Sequence, residues 1–207
     1  MEEAPGYDDR PTRERIVTAA IETIKTQGFA GASARAIGKA GGFNQGLIYY
    51  YFPSLKDLFL AALEQTSAAR MNAYLPRLGG ITSIEDVIRV GRELFDEDIE
   101  AGHITVLAEL VAASLPDPSM GARIVELMEP WVRLTQDTID RFVRGTFLEQ
   151  MIQTRDVAQA LVAFYLGIEM LYHLDHDRSR IDGLFSMFSA LAPIAAPFFN
   201  SSQAEQP

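Results

Sequence analysis

Apolar residues recur three and four positions apart along almost the whole chain of 207 residues, and no stretch alternates for long with the period of a β-strand. Ile16, Ala19, Ala20 and Ile24 form one such apolar face. The longest apolar runs are shorter than the roughly 20 residues that a membrane-spanning helix needs. The pattern therefore predicts an all-α protein whose amphipathic helices pack against one another, and it predicts no membrane partner.

Helix-starting and helix-ending residues divide the first part of the chain into short helices. Ser33 and Asn44 stand as N-cap residues before SARAIGKA and NQGLIYYYF, and Gly41-Gly42 separates the two segments. With a longer helix on either side, this predicts an N-terminal three-helix domain that contains a helix-turn-helix. Cap residues are also predicted for four further helices, at Thr12, Ser54, Asp117 and Thr154.

Charge is divided unevenly along the chain, whose formal net charge is −10. Residues 10–60 contain seven basic and three acidic residues, whereas residues 61–207 contain 11 basic and 21 acidic ones. A basic segment carried by an acidic body is typical of a protein that meets a polyanion with one surface, and chance is the alternative for counts this small. The division favours a nucleic-acid contact made by the first segment.

The second helix of a helix-turn-helix lies in the DNA major groove with its N-terminal residues against base edges. Gln45 can pair with N6 and N7 of adenine, and Leu47 can contact a thymine methyl group. Gly46, which has no side chain, allows the helix to approach the DNA closely. Asn44 can hydrogen-bond a phosphate or a base in addition to capping the helix. These residue types predict direct contact with double-stranded DNA.

Three consecutive tyrosines follow in the same helix, and they cannot share one face because successive side chains fan out by about 100°. Tyr49 and Tyr50 are predicted to donate their hydroxyls to phosphates, although packing within the bundle is the alternative for both. Tyr51 is predicted to lie partly under the bundle, and Phe52 to fill its core. Further phosphate contacts are predicted for Ser33, Arg35 and Lys56.

The stretch SARAIGKAGGFNQGLIYYYFPSLKDLF, with the Gly28-Phe29 joint before it, resembles the DNA-binding signature of the tetracycline-repressor (TetR) family of bacterial regulators. The resemblance covers about residues 12–60. It departs from the family pattern at Phe43, where a small residue or valine is usual. It departs again at Leu55, where the family usually has lysine. In this chain the nearby lysine is Lys56, one position later. A shift of one position moves the ammonium group by about 100° around the helix.

The resemblance implies a homodimer that binds a palindromic operator and is released by a small-molecule effector, as a repressor would be. It implies a helix-turn-helix DNA-binding domain at residues 10–70 and a helical ligand-binding and dimerisation domain at residues 71–200. Two half-sites must then lie about one DNA turn apart, roughly 34–36 Å. The last two predicted helices would pack against their symmetry mates as a four-helix interface.

Large apolar and aromatic residues populate the C-terminal two-thirds of the chain. A cavity lined by them would suit a small apolar or aromatic effector, and ordinary core packing is the alternative for each residue. The candidate ligand-binding residues are Phe95, Leu107, Trp131, Phe164, Glu169, Tyr172 and His173.

One polar group stands out in this part of the chain. Glu169, His173 and His176 recur at i, i+4 and i+7 on one helical face, and two imidazoles with a carboxylate could bind zinc. That spacing leaves an all-helical metal-dependent enzyme as the alternative function, while a Glu–His hydrogen bond or a solvated helix end would explain the spacing equally well. The regulator is the main prediction, with no enzymatic activity, no cofactor, no catalytic or metal-binding residue, and a cytoplasmic location.

Overall fold

The computed structural model of the chain describes residues 10–101 and 103–199. These residues form nine α-helices and one 3-10 helix, Phe147–Gln150, with no strand among them, so the all-α prediction is confirmed. The α-helices are α1 Arg10–Gly31, α2 Ala34–Gly41, α3 Gln45–Tyr51, α4 Leu55–Gly79, α5 Ile84–Ala101, α6 His103–Ser114, α7 Pro118–Val143, α8 Thr154–Asp175 and α9 Arg178–Phe199.

Side-chain caps start the three helices of the predicted DNA-binding region where the sequence placed them. The Ser33 hydroxyl accepts from the N–H of Ala36 at 3.2 Å, and Asn44 Oδ1 accepts from the N–H of Gly46 at 2.8 Å. The Ser54 hydroxyl accepts from the N–H of Asp57 at 3.2 Å. These bonds satisfy backbone donors that the first helical turn leaves without a partner.

Two of the predicted caps are wrong. Thr12 lies inside α1, because Pro11 suits the first helical turn and the helix already includes Arg10. Thr154 is the first residue of α8, and Gln153 holds the N-cap position without a side-chain hydrogen bond.

The first compact unit consists of the described residues up to Ala68 together with Thr105–Val125. Apolar side chains from α1 to α4 form its centre and are almost completely buried, which stabilises the unit by about 1.5–3 kcal/mol for each large side chain. They include Ile16, Ile24, Ile37, Ile48, Phe52, Leu58 and Phe59. The prediction that Phe52 fills the core of the bundle agrees with this burial.

The helix-turn-helix is held together by a close approach at Gly38 in α2. A Cβ atom at this position would lie 2.8 Å from the carbonyl oxygen of Phe43 and 3.3 Å from the backbone nitrogen of Gln45. The N–H of Phe43 donates to the Gly38 carbonyl at 2.9 Å, and Gly42 ends α2 in the left-handed conformation with φ 68°. Glycine at position 38 therefore sets how closely α2 approaches the start of α3.

The segment Thr105–Val125 packs with the first unit although it lies far along the chain. The Glu109 carboxylate accepts from the N–H of Phe29 at 2.7 Å, next to Gly28, whose φ of 68° interrupts α1. The division into a DNA-binding domain at residues 10–70 and a ligand-binding domain at residues 71–200 remains a prediction. The boundaries of the compact units differ from those of the predicted domains, because Thr105–Val125 joins the first unit. Helices α4 and α7 therefore each contribute residues to both units.

The second unit consists of Ala69–Ile104 and the described residues from Glu126 onward. Its core contains two apolar clusters. One is centred on Phe95 and Phe185, and the other on Tyr74 and Leu94, against which Trp131 packs. These clusters use helices α4, α5, α7, α8 and α9.

Helices α8 and α9 are each 22 residues long, and both are long and apolar enough to cross a membrane by length and composition alone. The apolar run of each is therefore longer than the sequence pattern indicated. Much of their apolar surface is exposed in the single chain. The exposed large side chains are Leu161, Phe164, Leu171, Leu174, Met187, Leu191, Ile194 and Phe198.

We predict that Gly38→Ala destabilises the first unit. The added methyl group must displace the Phe43 carbonyl, and overpacking of this kind costs about 1–3 kcal/mol, more than the gain of about 1 kcal/mol from helix propensity. Urea-induced unfolding measures the change. Gly121→Ala in α7 is the control, because its Cβ would come no closer than 3.9 Å to Ser114. Equal stability of the two variants would contradict the close approach.

Candidate functional site

Helix α3 presents most of its side chains to solvent. Ile48 is its buried residue, while Gln45, Gly46, Tyr49 and Tyr50 are exposed. Leu47, the predicted thymine contact, is half-buried between these two sets. A short helix with one buried residue and a polar, aromatic exterior is suited to contact another molecule, because the rest of its surface has no core to pack against.

The two tyrosines predicted to reach phosphates are exposed. Tyr49 is 54% and Tyr50 is 76% accessible, and the Tyr50 ring meets Tyr51 edge-on with 5.1 Å between ring centroids. Tyr51 is half-buried, as the sequence predicted. The alternative in which Tyr49 and Tyr50 fill the bundle does not describe this structure, so both hydroxyls are available to an external acceptor.

The remaining predicted contacts surround α3. Asn44 is exposed and uses its side-chain oxygen in the cap, so a contact with DNA would use its amide nitrogen. Gly46 has only Asn44 Oδ1 near the place of a Cβ, at 3.3 Å, which leaves the outer side of the helix open. Ser33 and Arg35 are exposed at the start of α2, on the element that packs directly against α3.

Lys56 has a partner that the sequence did not indicate. Its ammonium group donates to Asp117 Oδ2 at 2.7 Å and to the Ser119 hydroxyl at 2.6 Å. The hydrogen bonds from Lys56 and Ser119 lower the pKa of Asp117 well below its usual range. A phosphate that binds Lys56 must therefore compete with a carboxylate of the same unit.

The structure brings only some of the candidate ligand-binding residues together. Phe95 is completely buried, and its ring meets those of Tyr165 and Tyr172 edge-on at 6.2 and 6.1 Å. Leu107 belongs to the first unit, whereas the other six candidates belong to the second. Phe164 faces the exterior beside Phe188, because α8 directs that side of its helix outward.

A buried polar cluster connects the two apolar clusters of the second unit. Arg70 Nε donates to Asp98 Oδ1 at 3.0 Å, and a second nitrogen of the same guanidinium donates to both Asp98 Oδ2 and Glu169 Oε1. The hydroxyls of Tyr74 and Tyr165 also donate to Asp98 Oδ2. Arginine, two carboxyl groups and two phenols from α4, α5 and α8 therefore form one network.

Burial and charge act in opposite directions on this network. Burial raises the pKa of Glu169 to about 8, even though the Arg70 charge opposes the shift. Burial alone would lower the pKa of Arg70, but the charges of Glu169 and Asp98 raise it above its usual value. At neutral pH the cluster therefore holds the Arg70 cation, whose direct partner is Asp98, and a protonated Glu169.

The three residues of the metal-binding alternative do not form a metal site. Glu169 is turned toward Arg70, whereas His176 is exposed at the end of α8 with φ 53° and packs against the Tyr172 ring. His173 is half-buried one turn after Glu169. No group of three potential ligands that could hold a metal ion occurs in residues 10–101 and 103–199.

Sequence reasoning missed the residues whose partners are distant in the chain. Asp117 lies 61 residues from Lys56, and Asp98 lies 28 residues from Arg70, so no local pattern pairs them. Gly38 had a local signal, since a glycine inside a predicted helix indicates a packing requirement.

Comparison with known proteins assigns the first unit. The family model described as "Bacterial regulatory proteins, tetR family" matches residues 16–62, which include α2 and α3. The DNA-binding region of the chain is therefore similar to that of the TetR family, over residues 16–62. The chain is 27% identical over 119 residues to the helix-turn-helix (HTH)-type transcriptional regulator UidR of Escherichia coli (strain K12). That alignment covers 56% of this chain and 58% of UidR, so it spans little more than half of either protein.

Solved structures of TetR-like regulators extend the similarity to both units. The regulator FadR from Bacillus subtilis, in complex with stearoyl-CoA, has a TM-score of 0.70 and 15% identity, with 86% of this chain and 96% of that chain covered. The multidrug binding protein EbrR, complexed with malachite green, has a TM-score of 0.61 and 25% identity, with 87% and 98% covered. The TetR-type fold therefore includes the C-terminal helices.

We predict that Glu169 makes stability decrease as pH rises. Its pKa in the folded chain, about 8, lies above that of an unfolded glutamate, so the folded chain binds the extra proton between about pH 5 and 8. The free energy of unfolding should then decrease by about 1 kcal/mol per pH unit in that range and level off above it.

Urea unfolding of the unaltered chain and of Glu169→Gln tests this prediction, because the difference between the two isolates the titration of one group. The unfolding free energy of the unaltered chain minus that of Glu169→Gln should become steadily lower as pH rises from about 5 to 8. Glu97→Gln, an exposed glutamate paired with Arg77 in the same unit, is the control and should show no such trend. A constant difference across that range would show that Glu169 is ionised in the folded chain.

Proposed function

We propose that the chain is a ligand-responsive transcriptional regulator, a repressor, which binds a palindromic operator as a homodimer and releases it when a small molecule binds the second unit. The observation that carries the proposal is the exterior of α3. Gln45, Gly46, Tyr49 and Tyr50 are exposed together on a helix whose entry is fixed by the Asn44 cap and by Gly38.

The chemistry of this surface matches a DNA groove. The Gln45 amide can both donate to and accept from an adenine edge, and the exposed hydroxyls of Tyr49 and Tyr50 can donate to phosphates. Arg35 and Lys39 are exposed on α2, and they add positive charge beside the same helix. Asn44 and Leu47 are predicted to add further contacts. The N-terminal residues of α3 would then contact base edges, and the residues beside them would contact the sugar-phosphate backbone of DNA.

The outer faces of α8 and α9 support the homodimer. Their exposed leucines, phenylalanines, methionine and isoleucine form an apolar surface that a monomer in water would leave uncovered. A second copy would cover it with an identical surface, as two-fold symmetry requires. A dimer is also what binding to two half-sites needs. A protein with this task works in the cytoplasm, where the chromosome is.

The second unit is the place proposed for the effector. FadR is complexed with stearoyl-CoA and EbrR with malachite green, and both share this fold across both units. In this chain, Trp131 lies against the Arg70 guanidinium and Phe95 packs against Tyr165, so aromatic side chains adjoin a few oriented polar groups, as in many ligand sites. An effector that binds one arrangement of these helices better than another shifts the population between them.

Selection of duplexes from a randomised library by the purified full chain tests the proposal. We expect enrichment of an inverted repeat whose half-sites lie about one helical turn apart, and a dimer or a pair of dimers in sedimentation velocity. Absence of any enriched sequence at low salt would contradict the DNA-binding function.

We predict different effects for two α3 variants on the selected operator. Gln45→Ala should relax preference at one base pair by about 1–3 kcal/mol, because it removes a base-edge contact. Tyr49→Phe should weaken binding to all duplexes alike, because it removes one phosphate donor and keeps the ring. Fluorescence anisotropy on matched and single-mismatch duplexes separates the two effects. Unchanged binding by both variants would show that α3 does not face DNA.

We predict that Asp117→Asn strengthens DNA binding. The substitution removes the carboxylate that holds the Lys56 ammonium and keeps an N-capping side chain for α7. A freed ammonium that reaches a phosphate should steepen the slope of log affinity against log salt by about 0.9. Glu64→Gln, which removes a different exposed negative charge from the same unit, is the control. If Lys56→Met in the Asp117→Asn background leaves the gain intact, Lys56 is not its source.

A further inference from the structure

One carboxylate oxygen in the second unit lacks a partner. Glu169 is 1% exposed, and its Oε1 accepts from Arg70 at 3.1 Å. Its Oε2 is buried and has no hydrogen-bond partner within the part of the chain that the structure describes. A buried polar atom without a partner destabilises the fold, and more so when it is charged, so an added donor at this oxygen would stabilise the ionised form of Glu169.

The donors around Glu169 are already directed elsewhere. The Arg70 guanidinium makes two bonds to Asp98 and one to Glu169. The hydroxyls of Tyr74 and Tyr165 both donate to Asp98. The cluster therefore contains one cation and two carboxyl groups, and it lacks both the positive charge and the donor that would allow the second carboxyl group to ionise.

The surroundings of the cluster are apolar. Ile168, next to Glu169 in the chain, is buried in the cluster centred on Phe95, against which Tyr165 and Tyr172 pack. Trp131 lies on the other side, with the Arg70 guanidinium 5.3 Å from its ring centroid. In such surroundings a charge-assisted hydrogen bond is stronger than in water, and aromatic faces attract cations.

We propose that Glu169 anchors the effector, and that the effector is an organic cation with an N–H donor on an apolar or aromatic body. The Glu169 Oε2 atom accepts from the head group of the effector, and the aromatic side chains contact its body. This inference rests on the proposed function, because it specifies which ligand the second unit recognises.

The anchor has a direct connection to α4. Arg70 lies on the same continuous helix as Lys56, and its guanidinium donates to Glu169. A cation at Glu169 competes with Arg70 for the carboxylate and changes the charge balance around it. The free energy of that competition is available to favour a different position of α4, provided that the ligand binds the two states unequally.

Three probes that share one apolar body and differ in the head group test the proposal on the full chain without DNA. Naphthylethylamine is cationic with N–H donors, naphthylethanol is neutral, and naphthylacetate is anionic. We expect the amine to bind at least about tenfold more tightly than the other two, since a charge-assisted bond contributes about 1.5–3 kcal/mol. Fluorescence titration measures the three affinities.

The matched variant Glu169→Gln keeps the shape of the side chain and removes its charge. It should abolish the preference for the amine, and Glu97→Gln, which removes an exposed negative charge from the same unit, should retain it. The selectivity of the unaltered chain is a test that stands even if Glu169→Gln folds poorly. Equal binding of the three probes, a preference for the alcohol or the acid, retention of the preference in Glu169→Gln, or no binding of the amine would each overturn the proposal.

A second readout follows from protonation. Charged and titratable groups face Glu169 from α4 (Arg70, Tyr74), α5 (Asp98) and α8 (Tyr165), and the arginine and the tyrosines stay protonated near neutral pH because their pKa values are raised. Binding of the amine must therefore ionise Glu169. Its affinity should be about twentyfold higher at about pH 8.5 than at about pH 6.5, and a pH-independent affinity would overturn the anchoring role.

Failure of this inference can be distinguished from failure of the proposed function. A chain that selects an operator but shows no preference for the amine is a regulator with another kind of effector. A chain that prefers the amine through Glu169 but selects no duplex retains the anchor and loses the regulatory role.

Discussion

The Arg70 guanidinium holds three helices of the second unit together, because its partners lie on α5 and α8 while it belongs to α4. Removing one member of a buried ion pair leaves the others uncompensated and typically costs 3–5 kcal/mol, so the cluster permits few arrangements of these helices. Replacement of the whole set by apolar side chains would often be neutral, which means that stability alone does not explain why the chain contains it. The unsatisfied Glu169 oxygen gives a reason, since it leaves the network incomplete until another group joins it.

Helices α4 and α7 each contribute residues to both units. α4 begins beside α3 with Ser54 as its cap and ends in the second unit. α7 begins at Pro118 with Asp117 as its cap and also continues there. The pair Lys56–Asp117 joins the starts of these helices in the first unit. A change around Arg70 therefore acts on an element that also holds a predicted DNA contact, without any separate connecting structure. Rigid helices with two discrete packing arrangements are the kind of element through which two sites become coupled.

Local signals predicted most of the first unit and little of the second. Ser33, Asn44 and Ser54 form the caps that the sequence indicated, because a cap is decided within four residues. Helical geometry indicated that the three tyrosines cannot share one face, and the structure exposes Tyr49 and Tyr50. The buried cluster could not be predicted this way, since the partners of Arg70 lie 28 and 99 residues away. The sequence singled out Glu169 as a ligand-binding candidate, with metal binding or a Glu–His hydrogen bond as alternatives. Only the fold shows that Arg70 donates to its Oε1.

The division of charge also has a structural explanation. Many acidic groups of the second unit are paired with its own arginines, as in Asp96 with Arg178 and Glu129 with Arg155. Those arginines are therefore not available to a polyanion, and the acidic excess repels one. Positive charge beside α3 comes from a few side chains of the first unit, while hydroxyl and amide donors supply much of the remaining surface. Such an interface gains less from counterion release than a strongly basic one, so its affinity depends more on the geometry of neutral donors that only a matching groove satisfies.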